Sequence, residues 1–229
     1  MSVLLNYLTK ADFGSETGAI DEPISLEIAL AHLRIDADAS DSAFVKAVII
    51  PSARQFAERR SGSAIKPARY KQTLSSFPVF GRDRVSGALS FAPFNRVGKS
   101  LPIRFTHGLV DSVDSVNYID LAGDEQSIDV STLDISMTNR ANVELCVKAG
   151  DGWPQAADVP NAVTIVYRAG MLPDEFASTY PSVIHWMLLA CGWAYENREM
   201  FLVGKGAAVE IPASYVDSLL EPICVLPRF

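Results

Sequence analysis

Apolar residues recur at intervals of three and four from Phe44 to Ala57 and again from Val183 to Tyr195, while between Arg69 and Arg168 the period falls to two. The first spacing is that of an amphipathic helix and the second that of a strand with one buried face. In the early helical stretch the stripe is Phe44, Val45, Val48, Ile49, Ala53, Phe56 and Ala57, and Gly62 is placed to close it. Pro51 falls inside that stripe, where it removes one helical hydrogen bond and predicts a kink. A shorter helix is predicted to start at Ser25, a good N-cap, with Glu27 in the first turn and Leu26, Leu30 and Leu33 as its apolar stripe. The loop Asp36 to Asp41 then joins the two helices.

Segments Arg69 to Leu74, Val113 to Ile119, Ser127 to Val130, Val143 to Val147 and Ala162 to Arg168 read as strands by alternation or β-branched enrichment. Leu121 to Glu125 reads as a hairpin loop and Gly150 to Pro154 as a turn. After Pro181 the helical period returns with Val183, Ile184, Met187, Leu188, Cys191 and Tyr195, and the predicted helix is apolar round much of its circumference until Glu196-Asn-Arg-Glu199. A Gly-containing link, Gly204-Lys-Gly206, leads to a short element from Pro212 to Leu220. The expected fold is α+β: a mainly helical bundle core with an inserted β-rich subdomain. Its divisions are an arm at 1–22, a helical core at 23–66 and 176–229, and a β-rich insertion at 67–175.

Composition narrows the class. Hydrophobic residues make up 48% of the 229, which excludes a mainly disordered chain. The net charge of −7 argues against a basic nucleic-acid binder of the usual kind. The charge is unevenly divided, however. Residues 54–104 hold 11 of the 20 basic side chains and only 2 of the 27 acidic ones, Glu58 and Asp83, so a basic middle stands between acidic flanks. Cys146, Cys191 and Cys224 form no CxxC pair and have no His at zinc-ligand intervals, so neither a disulfide framework nor a metal site is expected. The opening residues lack the pattern of an export signal, and the apolar run Val183 to Tyr195 is shorter than the roughly 18–20 residues that cross a bilayer. The expectation is a soluble protein of a reducing cytoplasm.

Candidate chemistry is sparse. Gly204-Lys-Gly-Ala-Ala-Val209 lacks the third glycine of a dinucleotide loop and follows a helix rather than a strand. No GxxxxGK[ST] loop is present. An EF-hand loop beginning at Asp36 would need Gly where Asp41 stands and Glu where Ala47 stands. His185 and Cys191 lie about 120° apart around a helix and do not form a catalytic pair there. His32 and His107 have no partner that the sequence identifies. From Phe77 through Arg82, Arg84, Phe91, Phe94, Arg96, Lys99 and Arg104, aromatic and basic residues interleave. That composition suits single-strand stacking, a protein-binding loop or a solvated loop.

Five strings, taken in order, resemble the tailed-phage head-tail connector family, the small adaptor proteins of long-tailed phages, prophages and gene transfer agents. They are Ile24 to Ile35, the acidic loop after it, Ala53 to Arg60, Val163 to Gly170 and Trp193 to Glu199, and the similarity runs from about Pro23 to Leu226. The resemblance implies a structural, non-enzymatic protein of DNA packaging and virion assembly. It implies a homo-oligomeric ring, dodecameric in the virion, seated on the portal protein. Such a ring extends the DNA channel and receives the stopper or tail-completion protein. Assembly would take place in the bacterial cytoplasm and the product would sit at the head-tail interface of the virion, with no cofactor, metal or membrane. DNA would pass through without sequence-specific binding. Arg82, Arg84, Arg96, Glu196, Arg198 and Glu199 are the candidate contacts between subunits, since complementary charge fixes the register of a heterologous interface. Val225, Leu226, Arg228 and Phe229 belong to the segment that would dock on the portal. The alternative is a DNA-binding accessory of packaging that uses the basic 54–104 segment.

Overall fold

A computed structural model of the chain describes residues 4–8, 20–36, 40–78, 101–148, 152–198 and 213–225. The chain divides into two units, each of which takes up separate stretches of sequence: Met1–Ala11, Ala68–Thr106 and Val110–Ala169 in one, and Asp12–Pro67, His107–Leu109 and Gly170–Phe229 in the other. The first unit is built on sheets and the second on helices, so the class is α+β. A mainly helical bundle as the core is not what the structure has. Two antiparallel sheets form a unit of their own, because the period-two segments between Arg69 and Arg168 bury one face among themselves.

The larger sheet has the order β1 (Leu4–Leu8), β2 (Ala68–Leu74), β8 (Val163–Ala169), β4 (Val110–Ile119), β5 (Glu125–Ile128). The smaller has the order β3 (Ile103–Arg104), β7 (Asn142–Val147), β6 (Leu133–Asn139). Strand β1 falls in the stretch expected to be an arm, and it pairs antiparallel with β2 from Leu4 opposite Thr73 to Leu8 opposite Arg69. In the central strand β8, Val163, Ile165, Tyr167 and Ala169 are fully buried and alternate with half-buried Thr164, Val166 and Arg168. The predicted hairpin is present: Ile119 pairs with Glu125, and the Asp120 carboxylate accepts the N–H groups of Ala122 and Asp124 across the turn.

Two polar devices hold this unit. Gln72 is 1% exposed on β2, where its amide donates to the Arg104 carbonyl at 3.1 Å and accepts from the Thr106 N–H at 3.2 Å. Every polar atom of that side chain therefore finds a partner, as a buried amide requires. On the same strand Arg69 stands directly opposite Arg168 of β8, a repulsive cross-strand pair. The register of β4 shifts between Val113 and Ser115, and Asp114 at that bulge sets its carboxylate oxygens 2.8 Å from Arg69 Nε and 3.1 Å from Arg168 Nε.

The helical unit comprises α1 (Leu26–Leu33), α2 (Ser42–Phe44), a π-helical stretch (Val45–Ile49), α3 (Ile50–Ser61), α4 (Pro173–Thr179), α5 (Pro181–Glu196) and α6 (Ala213–Ser218). Ser25 caps α1 by accepting the Ile28 N–H, and Gly62 closes α3 at φ +77°. The expected single α period from Phe44 to Ala57 is broken in one place. The Ile50 N–H bonds the Val45 carbonyl, five residues back rather than four, and Pro51 follows in the first turn of α3. The hydrogen bond that Pro51 lacks is thus absorbed by a π turn. Helix α5 supplies Val183, Met187 and Cys191 to a core shared with Phe176 of α4, Ala53 and Ala57 of α3, and the C-terminal residues Leu220 and Ile223.

Buried charge sits at the end of α3. Arg54 Nε meets the Glu22 carboxylate at 2.7 Å and its Nη1 meets the Glu58 carboxylate at 2.6 Å. The other Glu58 oxygen accepts the backbone N–H groups of Ile65 and Lys66, and Lys66 Nζ returns to Glu22 at 3.3 Å. The chain leaving α3 is thereby held against the helix it has just left. Gly170 completes the junction. It adopts φ +104°, and a Cβ there would lie 2.5 Å from the Lys66 carbonyl oxygen, which is backbone and has nowhere to go. Replacing Gly170 with Ala is therefore expected to cost about 3 kcal/mol. Thermal unfolding should show a fall of about 6–12 °C; an unchanged midpoint would contradict this packing.

Candidate functional site

The sequence-predicted contact residues fall into two groups. Arg82, Arg84, Arg96, Lys99, Glu199, Leu226, Arg228 and Phe229 lie outside the described residues. Glu196, Arg198 and Val225 lie within them. Glu196 is the last residue of α5 and is exposed.

Arg198 is engaged inside its own chain. Its Nη2 lies 2.5 Å from the Asp41 carboxylate, its guanidinium carbon sits 4.2 Å from the centroid of the Tyr195 ring and 5.3 Å from that of Phe44, and Tyr195 donates to Asp41 at 2.8 Å. A charge-assisted bond and two cation–π contacts so join the C-terminal end of α5 to the start of α2. The Arg198 hydrogen bond, followed by that of Tyr195, holds the Asp41 carboxyl below its ordinary range, and the bond to Asp41 pushes the Tyr195 hydroxyl up. Sequence reading names Arg198 as a contact and places Asp41 in the acidic loop and Phe44 and Tyr195 in apolar stripes, but joins none of them to Arg198.

The C-terminal segment is tied to the same helical unit. Arg60 makes a two-pronged bond to Asp217 at 3.0 and 2.6 Å, Ser63 donates from its hydroxyl to the Ile223 carbonyl, and the Val225 N–H donates to the Ser61 carbonyl at 2.8 Å. Leu220 and Ile223 are fully buried. Val225 is thereby held beside Gly62, whose added Cβ would lie 3.3 Å from the Val225 Cβ.

Among the described residues no three His, Cys, Asp or Glu side chains gather as metal ligands. Cys191 is fully buried in the core and burial pushes its thiol up to about 11, far from a reactive thiolate. Burial lowers His107 to about 4, which keeps it neutral near pH 7. An open depression of about 270 Å3 beside the β4–β5 hairpin is lined by Asn117, Glu125, Asn161 and Thr164 among others. Two of its amides are already engaged: Asn117 donates to Glu125, and Asn161 accepts from Thr73. No described helix is long and apolar enough to cross a membrane.

The helical unit also exposes large apolar side chains. Phe44 is 37% exposed, Val48 48%, Phe56 49% and Trp193 69%. Phe56 rests on the Trp186 ring at 5.3 Å, and Trp193 lies seven residues further along α5, hence on the same side of that helix. A ridge of this kind, with the Asp41–Arg198 clasp at one end, is the feature of the helical unit that suits contact with another protein.

The clasp has a direct spectroscopic test. In Arg198→Ala, the Asp41 carboxyl is expected to titrate higher, back toward its ordinary value of 3.8. Because Asp41 is depressed in the fold, its contribution is present at neutral pH and is lost as pH falls through its folded value. Carboxyl-detected NMR of wild type and Arg198→Ala compares the two titrations, and identical midpoints would mean that the clasp does not form in solution.

No family model and no curated protein matches the sequence. Solved structures do. The chain is similar over 99% of its length, and over 97% of theirs, to a chain in the neck of an empty gene transfer agent (GTA) particle computed with C6 symmetry, at 16% identity and TM-score 0.61. It is similar over the same spans to a chain in the virion of the native GTA particle, at 17% identity and TM-score 0.62, and to one in the native neck computed with C12 symmetry, at 16% and 0.57. The chain thus shares, from end to end, the fold of proteins found in the necks of phage-like particles.

Proposed function

We propose that this protein is a structural head-tail connector of a phage, prophage or gene transfer agent. On this reading it assembles as a ring, twelve-membered in the virion, on the portal vertex, extends the DNA channel and receives the stopper or tail-completion protein. The observation that carries the reading is the end-to-end likeness of fold to GTA neck chains, two of them from assemblies described with C6 and C12 symmetry. A partial likeness would speak only for a common subdomain; here both units are covered.

The charge distribution supports the reading in a specific way. Arg54 and Lys66 pair with Glu22, Arg60 with Asp217, Arg69 with Asp114, and Arg104 with Glu144. These cations of the basic middle are satisfied by acids of their own chain. The DNA-binding alternative loses them as phosphate ligands and keeps Arg59 and Lys71 together with the four of the middle stretch named from sequence, Arg82, Arg84, Arg96 and Lys99. For those four, contact with an acidic surface of a neighbouring subunit is the assignment that fits a ring. An acidic net charge also suits a channel along which phosphate slides rather than binds.

Electron microscopy of the purified protein, alone and mixed with the portal protein of the same particle, tests the reading. Rings or portal-bound rings are expected in wild type, and loss of rings with a folded monomer is expected in the Arg82→Glu/Arg84→Glu pair. No ring and no portal complex at any salt concentration would contradict the connector reading. Rings unchanged in the double variant would remove the two arginines from the interface.

A further inference from the structure

The π turn ahead of α3 carries a consequence for the whole first half of that helix. In α3 the core-facing positions are Ile50, Ala53, Arg54, Ala57 and Ser61. Continued backward at about 100° per residue, the α-helical phase of those positions arrives at Lys46, which stands four residues before Ile50, seven before Ala53 and eleven before Ala57. Lys46 would enter the core. It is instead exposed, and Val45 at 0% and Ile49 at 4% exposure are buried. One extra residue within the π turn turns everything before it by about 100°. The same turn brings Phe44 and Val48 into line with Phe56, and Phe44 and Asp41 against Arg198 and Tyr195.

Pro51 stands where such a turn is needed. In an unbroken α-helix its ring would press on the carbonyl of Ala47, and that carbonyl would lack a donor. We infer that Pro51 and the extra residue of the π turn are a matched pair. The proline excludes the plain α register at this point, the extra residue widens the turn to accommodate it, and together they set the phase that buries Val45, aligns the Phe44–Val48–Phe56 ridge and closes the Asp41 clasp. Pro51 is thus a positioning residue for a surface that it does not itself form.

The pairing predicts a rescue. Deleting Ala47 removes the extra residue and restores an α period in which Val45 takes the core position, four places before Ile50. With Pro51 present, that register sets the ring against the Lys46 carbonyl. With Ala at 51 it has no such conflict. The experiment is a cycle in the full chain: wild type, Pro51→Ala, the Ala47 deletion, and both together, each followed by thermal unfolding and circular dichroism. The deletion alone should lower the midpoint by roughly 10 °C or fail to fold, and the double variant should return to within about 3 °C of Pro51→Ala. A deletion that costs the same in both backgrounds, a deletion alone as stable as wild type, or a double variant that does not fold would each overturn the inference.

Discussion

A guanidinium on the core side of a helix has to find carboxylates, and in this chain Arg54 finds two. It is 7% exposed, lies among Ala53, Ala57 and Ile50, and bonds Glu22 from before α1 and Glu58 from one turn along its own helix. Neither acid serves Arg54 alone. Glu58 also accepts two backbone N–H groups of the strand-bound segment that follows, and Glu22 also receives Lys66. Removing a member would leave a charge or a peptide N–H in a place that water reaches poorly, which costs far more than a surface ion pair contributes. The chain entering α1, the helix α3 and the chain leaving it are thereby fixed together. The close approach at Gly170 and the buried C-terminal residues Leu220 and Ile223 rest on that geometry.

The same network changes the meaning of the charge partition. A basic middle between acidic flanks looks, on the sequence, like a surface awaiting a partner. In the fold, acids on both sides of the middle are its partners: Glu22 comes from the N-terminal flank, Asp114 and Glu144 from the next, and Asp217 from near the C-terminus. Much of the partition is therefore a device for holding the chain itself together. Among the described residues, the exposed apolar side chains Phe44, Val48, Phe56 and Trp193 and the exposed cation Arg59 remain on the helical unit.

The elements whose signal is local were legible. Ser25 and Gly62 bracket helices through their own side chain or its absence, β8 alternates without exception, and α5 keeps its period over sixteen residues. Short elements were not. Strand β3 has two residues and α4 seven, with Phe176 as its one buried member, and no period can be read from so little. Strand β6 does alternate, Leu133, Ile135 and Met137 against Asp134 and Ser136, yet lies outside the strands named from sequence. The π turn escaped for a subtler reason. Val45, Ile49, Ala53 and Ala57 recur every four residues, a spacing that an α-helix tolerates over two steps and not over three. Read with Pro51, that regular four was the sign of a wider turn. The clasp was beyond reach, because Asp41 and Arg198 are 157 residues apart and nothing local in either names the other.

The dependence of the fold on Arg54 is measured most directly by a double-mutant cycle. Equilibrium urea unfolding of wild type, Arg54→Met, Glu58→Gln and the double variant isolates the coupling between the two side chains. A coupling of about 1–3 kcal/mol is predicted, with the double variant less damaged than the two single losses added together. Strict additivity would contradict the account, since it would mean that Arg54 and Glu58 do not hold each other in place.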